Sequence, residues 1–308
     1  MLIKIQHSTS YEYSVPVSFG PHRLMLRPLE GHDVQIRSST LQVTPSSRIR
    51  WVHDVFDNSL AYVDFSESSR ILTVVSDVVV EQYNTNPFDF VMDTYAVELP
   101  FLYPEQDYFD VSHYTRKQFP GDEGVVKEWI RPFLNPTGKT NTLAVLLALN
   151  QSVPTYFQYK RREEYGVQSP AQTLQERSGS CRDFALLLME AARSLGLAAR
   201  FVSGYACQTG ATPAEATAST HAWTEIYLPG AGWKGFDPTG GVLAADLHIR
   251  AAVAREPAQA APISGCFIGD PSAFKGMTVA VKVEIVPPSA VKSSTQSNAQ
   301  SPSQSQTS

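Results

Sequence analysis

A cysteine, a histidine and an aspartate of this chain have the three side-chain types that covalent catalysis by a thiol uses. Cys181 opens a helical pattern, His221 lies in a strand pattern, and Asp237 ends the next strand pattern. A thiolate is a strong nucleophile, an imidazole can take its proton, and a carboxylate can hold the imidazole in one tautomer. A cysteine followed at a distance by a histidine and an aspartate is typical of cysteine enzymes. We therefore predict a nucleophile, a base and an orienting acid in Cys181, His221 and Asp237.

The residues after Cys181 encode the helix that must present it. Ser180 can cap the helix start, Asp183 places a carboxylate in the first turn, and Gly196 ends the helix. Apolar residues recur at helical spacing and form one face, namely Phe184, Leu187, Leu188, Ala191, Ala192 and Leu195. The sequence thus predicts a helix buried along one side. Its positive end favours the thiolate form of a cysteine placed there.

Two predicted strands must bring the base and the acid together. Residues 219–228 alternate, so that His221 and Tyr227 share a face, and a turn at 229–232 leads to a short strand that ends at Asp237. If Trp233 shares a face with Tyr227, then Asp237 shares one with His221. A slip of one residue would place the two side chains on opposite faces, and the sequence does not settle the register.

Two segments resemble the transglutaminase-like domain of bacterial proteins: GSCRDFALLLMEAARSLGLAARFVSGY and HAWTEIYLPGAGWKGFDPT. The resemblance implies a papain-like core whose catalytic triad falls on Cys181, His221 and Asp237. Two earlier segments, HSTSYEYSVPVSFGPHRLMLRP and DVFDNSLAYVDF, resemble the β-rich domain that precedes this core in one bacterial branch. That branch usually carries a Gly-Arg-Asp-Tyr run where this chain has Ala254-Arg255-Glu256-Pro257.

The predicted fold class is α+β. Evenly spaced short strands over residues 1–83 predict an N-terminal β-sandwich, and residues 84–120 predict a connector packed at the interface. Residues 121–286 would form the transglutaminase-like core, with the catalytic cysteine at a helix N-terminus packed on an antiparallel sheet. Residues 287–308 are rich in Ser, Gln and Pro, which predicts a disordered tail.

Composition excludes several classes of function. A net charge of −5 gives no basis for a nucleic-acid partner, and no apolar run is long enough to span a membrane. Three widely spaced cysteines do not make a disulfide framework, and Cys207, read as lying in a small polar loop, and Cys266 are interpreted as structural or incidental. No signal sequence is apparent, so a cytoplasmic location is the expectation. No metal-binding or nucleotide-binding motif is present, so we expect neither a metal nor a cofactor.

The expected activity is attack on an amide or peptide bond of a protein or peptide substrate, through a thioester acyl-enzyme. Hydrolysis is expected more than cross-linking to an amine. The backbone N–H of Cys181 is a natural oxyanion donor, Gln175 is a weak second candidate, and Trp223 and Trp233 are predicted to line the substrate site. Two alternatives remain open: an inactive binding or scaffolding protein that keeps the fold, and a cysteine-dependent acyltransferase. The oligomeric state is not predicted.

Overall fold

A computed structural model describes residues 1–83, 86–162, 164–208 and 217–286 of the chain, which has a mixed α/β architecture. The predicted disordered tail at 287–308 lies outside these residues. The first part of the chain is built from strands, as the alternation of its residues predicts. These strands are β1 (Leu2–Phe19), β2 (His22–Leu24), β3 (Val34–Thr44), β4 (Ser47–His53), β5 (Ser59–Phe65) and β6 (Ser69–Gln82).

The remainder of the chain combines helices with short and long strands. The helices are α1 (Glu105–Val111), α2 (Glu123–Ile130), α3 (Thr142–Tyr156), α4 (Pro170–Glu176) and α5 (Cys181–Ser194). The strands are β7 (Glu98–Leu99), β8 (Thr140–Asn141), β9 (Gln158–Tyr159), β10 (Ser178–Gly179), β11 (Ala199–Gln208), β12 (Thr217–Leu228), β13 (Gly232–Asp237), β14 (Val242–Leu243), β15 (His248–Ala254), β16 (Ile263–Ser264), β17 (Phe267–Ile268) and β18 (Phe274–Val286).

The N-terminal strands form two sheets that share apolar contacts. One sheet has the order β17-β1-β6-β3, with β18 also paired to β1, and the other has the order β16-β2-β5-β4. Buried Leu24, Ala61 and Val63 of the second sheet cluster with Val74 of the first. Such a cluster is what the predicted β-sandwich requires, because a sandwich buries the facing sides of two sheets.

The last strand departs from the predicted domain boundaries. β18 pairs antiparallel with β1 over its length, from Leu2 opposite Val286 to Tyr13 opposite Phe274. Residues 274–286, which the boundary prediction assigned to the core range 121–286, therefore hydrogen-bond to the N-terminal sheet. Sequence order alone could not reveal this, because the two strands are separated by nearly the whole chain.

The core sheet is antiparallel with the order β14-β13-β12-β11-β15. Helix α5 lies against it, and the hydroxyl of Thr224 on β12 donates to the carbonyl of Ala185 at 2.6 Å. Helices α2 and α3 add Val126 and Leu146 to the same apolar core. The N-terminal sheet also contacts β11, since Ile5 on β1 packs in one buried cluster with Tyr205.

The prediction that α5 is buried along one side only was wrong. Every residue from Asp183 to Arg193 is buried. Polar residues on the outer side are buried because they pair: Arg193 Nη1 donates to Glu190 Oε1 at 2.9 Å. Glu190 also accepts the backbone N–H groups of Gln118 and Phe119. The connector thus covers the polar side of α5, which the sequence pattern had predicted to be exposed.

The connector packs as its apolar composition predicts. Leu99 enters the central core, and the ring of Tyr114 lies 6.4 Å from that of Phe56 and 5.0 Å from that of Trp233. The Tyr103 hydroxyl donates to the carbonyl of Tyr227 at 3.0 Å. No helix within the described residues is long and apolar enough to cross a membrane.

Candidate active site

Cys181 is the first residue of α5, as predicted, and it is partly exposed. Ser180 caps the helix, and the carboxylate of Asp183 closes a capping box by accepting the Ser180 backbone N–H at 2.8 Å. The first N–H groups of a helix have no intrahelical acceptor and create a positive field. The thiol therefore lies where this field stabilises a thiolate. The same field would stabilise the oxyanion that forms when the sulfur attacks a carbonyl carbon.

Asp183 anchors this arrangement from a fully buried position. Its Oδ1 accepts from Arg162 Nη1 and from the Gln168 backbone N–H, each at 2.7 Å, and its Oδ2 accepts from the Ser180 hydroxyl at 2.8 Å. Burial alone would raise the pKa of Asp183, but these hydrogen bonds outweigh burial and lower it below its ordinary value. The carboxylate thus ties the segment before α4 to the loop that carries Cys181.

The pairing of β12 with β13 brings His221 and Asp237 together. Tyr227 lies opposite Trp233 and Thr224 opposite Phe236, which is the register that the sequence left open. His221 Nε2 donates to Asp237 Oδ2 at 2.8 Å. The Cys181 side chain acts on the same imidazole and raises its pKa, and Nδ1 is the ring nitrogen that the aspartate leaves free. The imidazole of His221 thus pairs with Asp237 and is influenced by the Cys181 side chain.

The electrostatics of this chain favour a charged imidazolium. Burial opposes protonation of His221, but its hydrogen bonds to Asp237 and Cys181 prevail and raise its pKa to about 10. Burial likewise opposes ionisation of Asp237, yet hydrogen bonds from two histidines hold its pKa well below its ordinary value. At neutral pH the aspartate is therefore ionised and His221 carries the proton, which suits a thiolate–imidazolium pair.

A second histidine, which the sequence analysis did not assign to the site, also binds the aspartate. His248 Nε2 lies 3.0 Å from Asp237 Oδ2, the oxygen that His221 uses. His248 is the first residue of β15. This strand pairs with β11 and forms the edge of the core sheet opposite to the edge that contains β13 and β14. The available signal was a histidine that opens the strand-like run HIRAAVA, but the sequence does not indicate which strands are neighbours.

The same cluster has donor atoms that a metal ion could use. One atom each of His221, Asp237 and His248 lies within 4.8 Å of the others. Two imidazoles and a carboxylate bind zinc in some enzymes. Here hydrogen bonds at 2.8 and 3.0 Å already satisfy the Asp237 oxygen, so the geometry is accounted for by hydrogen bonding.

Tyr159 also lies close to the nucleophile. It belongs to β9, whose parallel pairing with β10 places it beside Gly179, two residues before Cys181. Burial raises the pKa of Tyr159, and the negative charge of the Cys181 thiolate raises it further. Gln175, the weak candidate for a second oxyanion donor, is exposed on α4.

The structure does not support the substrate-lining role predicted for Trp223. This side chain is only 1% exposed and packs against Val202 and Val253, so it offers a substrate almost no surface. Trp233 is partly exposed but lies opposite Tyr227, six residues along β12 from His221, or roughly 20 Å. The Arg200 guanidinium covers its ring at 4.2 Å. Its role in substrate binding stays a prediction.

The other cysteines lie in different settings. Cys207 is in β11 rather than in a polar loop, and burial raises its pKa to about 12. Cys266 is exposed. His7 is buried, and its Nδ1 lies 3.1 Å from the Tyr205 hydroxyl.

Comparison with known families identifies both halves of the chain. Residues 3–81 match the bacterial transglutaminase-like N-terminal region, and residues 132–238 match the transglutaminase-like superfamily. The second match includes Cys181, His221 and Asp237.

Related proteins align along nearly the whole chain. An uncharacterised protein of Mycobacterium tuberculosis is 26% identical over 301 residues, covering 92% of each chain. An uncharacterised protein of Mycobacterium leprae is 23% identical over 286 residues, covering 87% of this chain and 93% of the relative. A crystal structure described as a candidate cysteine protease of Cytophaga hutchinsonii superposes with a TM-score of 0.69 at 20% identity, covering 93% of this chain and 92% of the other. That likeness establishes a shared fold.

Proposed function

The chain belongs to the bacterial transglutaminase-like proteins, and from its site we propose that it is a cysteine enzyme that cleaves amide or peptide bonds through a thioester. The observation that carries this proposal is the pairing of His221 Nε2 with Asp237 Oδ2 at 2.8 Å, together with the effect of Cys181, which also raises the pKa of His221. A buried histidine held between a thiol and a carboxylate is the arrangement that activates a thiol nucleophile.

The residues divide the reaction into two steps. The Cys181 thiolate attacks the amide carbonyl carbon, and the resulting oxyanion faces the N–H groups at the start of α5. The carbon–nitrogen bond breaks as the His221 imidazolium gives its proton to the departing amine. His221 then takes a proton from water, which attacks the thioester, and the carbon–sulfur bond breaks to release a carboxylic acid and restore the thiolate.

Tyr159 is the second oxyanion donor in this proposal, in place of Gln175. Tyr159 lies opposite Gly179, two residues before Cys181, and the charge of Cys181 adds to the burial that raises the pKa of its hydroxyl. A phenol donates one hydrogen bond, which is what a developing oxyanion needs in addition to a backbone N–H.

Hydrolysis is proposed over transfer to an amine. The fold shared with the candidate protease of Cytophaga hutchinsonii supports this choice. Water and an amine compete for the same thioester, so the outcome depends on how the site admits each of them.

The test is product analysis with a mixture of amide-capped peptides of random sequence, incubated with the wild type and with Cys181→Ala. Mass spectrometry should find shortened or deamidated peptides with the wild type alone. Addition of a primary amine to the mixture separates hydrolysis from transfer, because an amine adduct would mark transfer. Identical peptide patterns with both proteins would contradict the proposal and favour a binding or scaffolding role.

A further inference from the structure

Asp237 accepts more hydrogen bonds than the single one that a Cys–His–Asp triad requires of its aspartate. Its Oδ2 accepts from His221 Nε2 at 2.8 Å and from His248 Nε2 at 3.0 Å. Its Oδ1 accepts the Thr239 backbone N–H at 2.9 Å. An ionised carboxylate has about four acceptor positions, so three are filled from three directions. The carboxylate cannot rotate without breaking at least one of these bonds.

The surroundings of His248 settle which nitrogen bears its proton. The backbone N–H of Ala245 points at His248 Nδ1 at 3.4 Å, and the backbone N–H of His248 donates to the Ala245 carbonyl at 2.9 Å. Nδ1 therefore accepts, which leaves the proton on Nε2, where it is donated to Asp237. The ring also packs edge-on against Trp223, with centroids 5.3 Å apart, and only 11% of the side chain is exposed.

We propose that His248 is a positioning residue of the active site: it holds the Asp237 carboxylate in the orientation that receives His221, and so keeps the Cys181–His221 pair aligned. The inference rests on the proposed function, since it concerns the same site. It gives Trp223 a role as well, because this buried ring packs against both His221 and His248.

Among the described residues, the charged groups that line the cavity beside His248 engage partners other than His248. It borders a cavity of about 100 Å³, whose charged lining residues are Asp33, Glu225, Lys234 and Arg250. Glu225 pairs with Arg250 at 3.4 Å and with Arg200 at 2.7 Å, and Asp33 pairs with Arg250 at 3.5 Å. Lys234 lies over the ring of Phe90 at 4.8 Å. Asp237 is thus the acid that His248 contacts, and His221 the titrating group beside it.

Removal of the His248 N–H has a defined direction of effect on pH dependence. His248 is one of the groups that lower the pKa of buried Asp237. Without the His248 hydrogen bond, less opposes the effect of burial, which raises the pKa of Asp237. The carboxylate then takes up a proton at a higher pH than in the wild type. Because a protonated Asp237 no longer stabilises the His221 imidazolium, the reactivity of Cys181 should fail at a higher pH on the acid side.

The experiment measures the second-order rate of alkylation of Cys181 by iodoacetamide as a function of pH, in a Cys266→Ser background that removes the exposed thiol. His248→Phe keeps an aromatic ring without a donor. His248→Gln places an amide N–H near the position of Nε2, and His248→Asn is its matched control, since the shorter side chain cannot reach Asp237.

In His248→Phe and His248→Asn, iodoacetamide should alkylate Cys181 about tenfold more slowly at neutral pH. The rate should also fall off at a higher pH on the acid side than it does in the wild type. His248→Gln should return towards the wild-type profile. Wild-type profiles in His248→Phe and His248→Asn, with circular dichroism unchanged, would overturn the inference. If His248→Phe does not fold, the Gln and Asn pair decides alone, and equal profiles for those two contradict a donor role.

These results are separable from a failure of the proposed function. A wild-type Cys181 that reacts no faster than an ordinary thiol would refute the proposed nucleophile whatever His248 does. A fast wild-type Cys181 with no dependence on His248 would refute only the positioning role.

Discussion

Trp233 lies directly opposite Tyr227 in the β12–β13 pair, and this register places Asp237 on the same face of the sheet as His221. A slip of one residue would have turned the carboxylate to the other face. The turn at Pro229–Gly232 sets the register, since Gly230 and Gly232 both adopt positive φ angles of 81° and 75°. The catalytic contact thus depends on a turn several residues away from it.

Asp237→Asn should leave the fold intact and slow turnover by roughly 10³–10⁴-fold, because an amide can hold the imidazole in the wrong tautomer. The comparison is kcat/KM on a cleaved peptide, together with circular dichroism of both proteins. A loss of less than about tenfold in a folded variant would show that Asp237 does not orient His221 during the reaction.

Turnover should persist on the alkaline side until the pH approaches the His221 pKa of about 10, above which no imidazolium is left to protonate the departing amine. The folded-state pKa lies above the ordinary value of 6.5, so the imidazolium and the stability it contributes are fully present below pH 6.5 and are lost as the pH rises through 10. Nuclear magnetic resonance of the histidine ring protons follows this titration directly. Titration of His221 near its ordinary value would contradict the proposed ion pair.

Asp183→Ala should destabilise the protein by about 3 kcal/mol, because it leaves Arg162 and the backbone N–H groups of Gln168 and Ser180 without their buried acceptor. Chemical denaturation measures the loss. Glu164→Ala is the matched control: this carboxylate also pairs with Arg162 but is 72% exposed, so its loss should cost less than about 1 kcal/mol.

The pH dependence of stability gives a second check on Asp183. Its folded-state pKa is lowered, so its contribution is present above the ordinary value of 3.8 and is lost as the pH falls below it. Asp183→Ala should therefore flatten the acid side of the stability profile. Equal effects of the Asp183 and Glu164 substitutions would show that the capping contacts do not stabilise α5.

Tyr159→Phe should lower kcat by about 10²-fold with little change in KM, because the phenol donates to the oxyanion in the transition state only. Tyr156→Phe is the control, as Tyr156 belongs to the same stretch of chain and is 65% exposed. A rise in KM at constant kcat would instead assign Tyr159 to substrate binding.

Local signals in the sequence predicted much of the fold and the three central residues of the site. The pattern of evenly spaced short strands over residues 1–83 predicted the strand-rich N-terminal part, and Ser180, Asp183 and Gly196 marked the ends of α5. These features depend on residues that are close together in the sequence, so they can be predicted from a single sequence. The helix capping that presents Cys181 is of the same kind.

Features that depend on distant pairing escaped sequence analysis. His248 reaches Asp237 through the strand order of the core sheet, β18 returns to β1, and the connector covers the polar side of α5. Trp223 was assigned to the substrate site on residue type, but its packing against Val202 of β11 and Val253 of β15 buries it. In each case the decisive contact joins residues far apart in the chain, for which composition and periodicity carry no signal.

The most direct test of the central claim compares the alkylation rate of Cys181, in Cys266→Ser, with that of the exposed Cys266, in Cys181→Ala, at about pH 6. An ordinary thiol is less than about 1% ionised at this pH, whereas a thiolate paired with an imidazolium is mostly ionised. Cys181 should react about 100-fold faster, and His221→Ala should abolish the difference. Equal rates for the two cysteines would contradict the claim that Cys181 is an activated nucleophile.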